Sequence, residues 1–316
     1  MLEKILPLVI IFVAGYLLKK LKVLKSEDTK VLGKLLANLV LPAIVFKSLY
    51  TAEIEQNLIY LPVAALFVVS SLTLIAWLGL RFFQFDHLTK GALLTTFPTF
   101  EGGVVGYPFM LLTFGELGLS RIVLFDMAQA VFLFTVVYFI SCQHLDWVCW
   151  GNPSTPLGQF GQTKFDIKQG IGNLLKTPII WAIILSLFLK IIGFNNSLLL
   201  DSLSIIENSF FFLVLILLSL EFNLDLSYFK LCLLTTLAKT FCGAALGWLA
   251  AIIFGFTGIE RVAVIVGSSL PPSMLTLVFA EKNNLDTKFV ANLLSIALPF
   301  SCLFLTLFLR LFPNGT

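Results

Sequence analysis

An all-helical membrane fold of ten spanning helices, arranged as two inverted five-helix repeats, is what this sequence predicts. Three observations predict it. Of 316 residues, 58% are hydrophobic and only 12% charged, and the mean hydropathy is +0.98, whereas a soluble domain is about half apolar and about a quarter charged. Ten apolar runs approach or exceed the roughly 20 residues that cross a bilayer. Two of those runs are interrupted by proline or glycine, at equivalent places in two halves that align without a gap at an offset of 171 residues.

The first run, 4–21, is followed by most of its lysines and by no small-x-small cleavage site, so it reads as a span and not as a removed signal. The second and third, 30–50 and 58–82, carry Pro42 and Trp77. The fourth, 89–113, contains Pro98, Glu101, Gly102, Gly103, Gly106 and Pro108; proline removes a backbone donor and glycine disfavours helix, so this run breaks. The fifth, 120–141, places Asp126 and Gln129 about one turn apart on one face. A linker from Gln143 to Gly170, rich in Gly, Pro, Asn and Gln, separates a first repeat, 1–142, from a second, 171–316. The second repeat holds runs at 171–192, 200–221, 229–254, 261–281 and 288–311, and the ninth breaks at Leu270-Pro271-Pro272-Ser273.

In the alignment of the halves Pro7 falls on Pro178, Lys19 on Lys190, Ser48 on Ser219, Trp77 on Trp248 and Lys90 on Arg261. Five spans per half is odd, so the second copy enters the membrane from the opposite side, the inverted-topology arrangement common among secondary transporters. The lysines at 19, 20, 22, 25, 30 and 34 cluster around the first loop, which the positive-inside rule makes cytoplasmic. The 143–170 linker is then cytoplasmic and both termini are external.

Other function classes find little here. A net charge of +3 and no basic run interleaved with aromatics argue against nucleic acid. The five cysteines form no C-x-x-C pair, and the chain has two histidines, His87 and His144, so neither a metal site nor triad chemistry is expected. No G-x-x-x-x-G-K-[ST] loop or H-E-x-x-H motif occurs. The expectation is a non-enzyme without a cofactor, with H+ or Na+ as the candidate coupling ion.

Irregular backbone at membrane depth must be buried in protein or line a cavity. Two inverted copies place both breaks near the midplane, where each exposes the N-terminus of a half-helix, with free N–H groups and partial positive charge. Together they suit a carboxylate. The candidate substrate-binding residues are Glu101, Gly102, Gly103, Gly106, Pro108, Pro271, Pro272, Ser273 and Thr276; the candidate coupling residues are Glu101, Lys239, Asp126 and Gln129. Glu101 reads as an ion-pair partner, as the carrier of a coupling cation, or as a carboxylate facing water. Lys239 pairs with Glu101, attracts the anion, or snorkels to the inner face. Asp126 has Arg121 as an alternative partner, and Lys47 and Glu221 read as helix-boundary residues.

Asn38 followed by Leu41-Pro42-Ala43-Ile44-Val45-Phe46 resembles the N-x-x-LP signature of the auxin efflux carrier family. Leu270-Pro271-Pro272-Ser273-Met274-Leu275-Thr276 through Lys282 is similar to that family's crossover segment, and the resemblance extends over essentially the whole chain. It implies a bacterial-type permease of the inner (plasma) membrane, related to plant auxin carriers, with the elevator fold of bile acid:sodium symporters. Helices 1, 2, 6 and 7 would form a scaffold and a homodimer contact, and the other six a moving domain. The implied substrate is a small organic anion, auxin-like or a dicarboxylate. Family members commonly carry Asn where this chain has Glu101. The reading outside transport is a membrane-embedded ligand sensor or assembly subunit.

Overall fold

The computed structural model describes residues 2–25, 28–51, 56–83, 85–141, 172, 175, 178–194, 196–221 and 228–311. The 143–170 linker therefore lies outside the described residues, as do Cys142, His144 and Cys149. Among the described residues every regular element is a helix. These are α1 (Leu2–Lys20), α2 (28–51), α3 (Tyr60–Gly79), α4 (His87–Thr96), α5 (102–114), α6 (116–141), α7 (Pro178–Ile191), α8 (Ser197–Asn208), α9 (Phe210–Glu221), α10 (Phe229–Ile253), α11 (Gly258–Ser269), α12 (Leu275–Lys282) and α13 (Thr287–Leu311). Helical stretches such as Val31–Thr51, Tyr60–Gly79, Phe229–Ile253 and Thr287–Phe308 are long and apolar enough to cross a membrane.

Both predicted breaks are present. The fourth run divides into α4 and α5 around an irregular stretch, 97–101, and the ninth into α11 and α12 around 270–274. Three details differ from the sequence reading. Pro108 lies not in the break but within α5, just after its opening 102–106 turn. The α5–α6 corner is a single residue, Gly115, at φ 64° and ψ −156°, a conformation open to glycine. The seventh run is interrupted at Ser209 between α8 and α9.

The ends of α1 and α7 are built alike. After α1, Lys22 at φ 60° donates to the Lys19 carbonyl and Val23 to that of Leu18; after α7, Gly193 at φ 68° donates to Lys190 and Phe194 to Leu189. Both are left-handed helix stops, satisfying carbonyls that the last turn leaves open, and they stand 171 residues apart.

The helices pack in two groups. In one, α1 lies on α9 and α2 on α7 and α8; in the other, α3, α6, α10, α11 and α13 surround the two breaks. Large apolar side chains such as Ile10, Val13, Leu17, Trp181, Leu185 and Phe188 stay exposed on α1 and α7, as lipid-facing positions do. α10 crosses α11 closely. A Cβ at Gly243 would lie 2.0 Å from the Ser268 carbonyl oxygen, and one at Gly247 2.9 Å from the Ile265 Cα; small residues four apart let two backbones touch. Gly243→Ala forces these helices apart, and its expected cost is about 3 kcal/mol. A thermal melt of the purified variant in detergent checks this; a midpoint within about 1 °C of wild type would show a looser crossing.

Candidate functional site

The two breaks cross at one point. The Glu101 N–H donates to the Pro271 carbonyl (2.8 Å), and the Ser273 N–H to the Thr99 hydroxyl (3.1 Å). Gly106 makes this approach possible, since a Cβ there would lie 2.7 Å from Leu270 Cδ1. Pro271 and Pro272 are buried, and neither has an N–H to continue the hydrogen-bond ladder from α11. Thr276 is fully buried and turns its hydroxyl back to the Ser273 carbonyl (2.6 Å).

Glu101 lies at the centre and is 8% exposed. Its Oε2 accepts from the Met274 N–H, at the start of α12 (2.7 Å), and its Oε1 from the Val104 N–H, in the first turn of α5 (3.3 Å). One carboxylate thus caps the N-termini of both half-helices, where backbone N–H groups lack helical partners and the helix dipole favours negative charge.

The remaining predicted polar residues surround this point with partners of their own. Asp126 accepts from the Tyr107 hydroxyl (2.9 Å) and packs on Gly102, where a Cβ would lie 2.3 Å from its Oδ2. Gln129, on the same face of α6, donates to the Phe100 carbonyl in the break (3.1 Å). Gly103 faces Leu41 of α2. The shared face expected for Asp126 and Gln129 is present.

Three pairings differ from the expectations. Lys239 is 1% exposed and does not snorkel; it donates to the Leu270 carbonyl (2.6 Å) and lies 4.9 Å from the centre of the Phe100 ring. It therefore caps the carbonyl end of α11 and forms no ion pair with Glu101. An ammonium there complements the negative end of the helix dipole. Arg121 pairs not with Asp126 but with Glu260 on α11 (3.0 Å). Lys47 is no simple boundary residue: it bridges Glu207 of α8 (2.5 Å) and Glu116 at the start of α6 (3.0 Å), while the Ser48 hydroxyl reaches the Glu116 carbonyl (3.4 Å). This cluster joins the two helix groups.

Lys47→Met leaves two carboxylates facing each other without the cation between them. The expected loss is about 2–3 kcal/mol, below the full value for a buried pair because Glu116 is 36% exposed. Lys47→Met combined with Glu116→Gln should recover part of it, and a melting-temperature cycle over the variants reads the coupling; strict additivity would show that the cluster carries no shared energy.

Among the described residues no cluster of three or more His, Cys, Asp or Glu side chains fits a metal ion. What the centre holds is a carboxylate, between two helix ends within apolar helices. The long apolar helices define an integral membrane protein. The chain belongs to the membrane transport protein family, whose sequence pattern matches residues 1–145 and 167–309; this is the auxin efflux carrier family of the motif resemblance. It is similar to an uncharacterized transporter of Methanothermobacter thermautotrophicus, 23% identical over 313 residues, covering 98% of this chain and 94% of the relative. It is also similar to an uncharacterized transporter of Methanocaldococcus jannaschii, 24% identical over 317 residues, covering 97% of each.

Proposed function

We propose that this chain is a secondary carrier that moves a small organic anion or weak acid, auxin-like or a dicarboxylate, through the crossing of its two broken helices. The single observation that supports this reading is the convergence of the Met274 and Val104 N–H groups on one carboxylate. A centre that binds the Glu101 carboxylate has the chemistry to bind a substrate carboxylate.

In this reading the chain is an inverted repeat, a relation favoured by the like turns at Lys22 and Gly193. The group containing α1, α2, α7, α8 and α9 is the scaffold and homodimer contact, and the group around the breaks moves against it as an elevator. The carrier resides in the cytoplasmic membrane with its central linker inside, and H+ or Na+ drives it.

Uptake of radiolabelled indole-3-acetate and malate into proteoliposomes holding the purified chain tests the reading. Saturable uptake of either acid, raised by an imposed proton or sodium gradient, is expected. Binding of such acids without uptake would overturn it in favour of a ligand sensor.

A further inference from the structure

We propose that Glu101 is a built-in occupant of the anion site, and that an external carboxylate binds only when the Glu101 carboxylate gives up its place. This deepens the organic-anion reading and rests on it for its meaning in transport. The backbone of Glu101 is fixed in the crossing by the bond from its N–H to the Pro271 carbonyl (2.8 Å). Its carboxylate is fixed by the two half-helix N–H groups, Met274 at 2.7 Å and Val104 at 3.3 Å. Two methylene groups join these anchors, so the head can leave while the backbone stays.

The neighbouring polar groups are engaged elsewhere. Lys239 of α10 is on the Leu270 carbonyl, Tyr107 of α5 on Asp126 of α6, Gln129 of α6 on the Phe100 carbonyl, and Thr99 accepts the Ser273 N–H. The titratable groups near Glu101 are Asp126 and Tyr107, and the break before α12 adds the Ser273 hydroxyl. No cation pairs with Glu101 among the described ion pairs. The carboxylate is held by the same N–H donors that a substrate carboxylate requires, and two carboxylates do not share such a site while both are charged. Occupation by substrate therefore displaces Glu101 or follows its protonation, and only the second route ties one proton to each anion taken up.

Glu101→Ala removes a CH2–COO− fragment, which acetate replaces almost atom for atom. The test is a thermal melt of purified Glu101→Ala with about 100 mM sodium acetate, against the same concentration of sodium chloride or acetamide. Acetate should raise the midpoint by about 4 °C, as a ligand bound only to the folded state does. Acetamide, of the same shape but uncharged, should not raise it. Wild type, whose site is filled by its own side chain, should not respond to acetate.

If Glu101→Ala cannot be purified in chloride, recovery of monodisperse protein in acetate but not in acetamide is the expected result. An equal response to acetate in wild type, or no response in the variant by either measure, overturns the proposal. The readout needs no transport. Acetate rescue with no uptake of any acid would therefore count against the carrier reading alone, and uptake without rescue against the occupancy of the site by Glu101 alone.

Discussion

Alanine at both Pro271 and Pro272 is expected to leave a protein that inserts and purifies but transports at about a hundredth of the wild-type rate or less. The two prolines have no N–H to donate, so the ladder from α11 stops before α12 begins. With alanine at both positions, the helix can run on from Ser269 through Leu275. The Ser273 and Met274 N–H groups, now donated to Thr99 and Glu101, would turn to helical carbonyls. The bond to the Glu101 carboxylate is worth about 1.5–3 kcal/mol and that to the neutral Thr99 hydroxyl about 0.5–1.5 kcal/mol, so at about 1.4 kcal/mol per factor of ten the loss of both reaches about a hundredfold. Insertion survives because a continuous apolar helix satisfies its own backbone in lipid. Initial uptake rates in proteoliposomes, normalised to the protein incorporated, check this. Near-normal substrate affinity in the double variant would show that the second break only bends the helix.

Glu101→Gln is the second large effect. The amide retains one acceptor for the half-helix N–H groups but turns an NH2 donor toward another donor, and it carries no charge to answer the two positive helix ends. The expected destabilisation is about 2 kcal/mol. In transport the variant stands for a permanently uncharged Glu101: it should exchange substrate across the membrane while losing its dependence on a proton gradient. Lys239→Met, which leaves the Leu270 carbonyl unpaired, is expected to cost a further amount of about 1–3 kcal/mol. Because Lys239 and Glu101 make no ion pair, the double variant should be at least as unstable as Glu101→Gln alone. Recovery of stability in the double variant, read by thermal melting, would show that the two charges do form a pair. A Glu101→Gln protein with both wild-type stability and full proton dependence would remove Glu101 from the mechanism.

The positions of several spans and of both breaks are legible in the residues themselves. Segments such as 229–254 and 288–311 match α10 and α13 almost to the residue, since in hydrocarbon a backbone that is not helical has nowhere to place its polar groups. Pro98 with Glu101-Gly102-Gly103, and Pro271-Pro272, mark the places where that rule is suspended. The common face of Asp126 and Gln129 follows from helical spacing alone. The partners of Lys239, Arg121 and Lys47 do not. Leu270, Glu260 and Glu207 are 31, 139 and 160 residues distant along the chain, and no local periodicity selects among the acceptors available at membrane depth.

Sequence by itself determined that this chain is a helical membrane protein with two interrupted spans and a carboxylate at one of them, because hydropathy and the backbone chemistry of proline and glycine act within a few residues. Only the tertiary structure decided what holds that carboxylate. The crossing set by Gly106 against Leu270, and by Gly243 against Ser268, brings the N–H groups of Val104 and Met274 to one point. There Glu101 is satisfied by helix ends and not by a lysine. Proximity between segments that lie about 170 residues apart is a property of packing, and packing depends on where small side chains let two backbones meet.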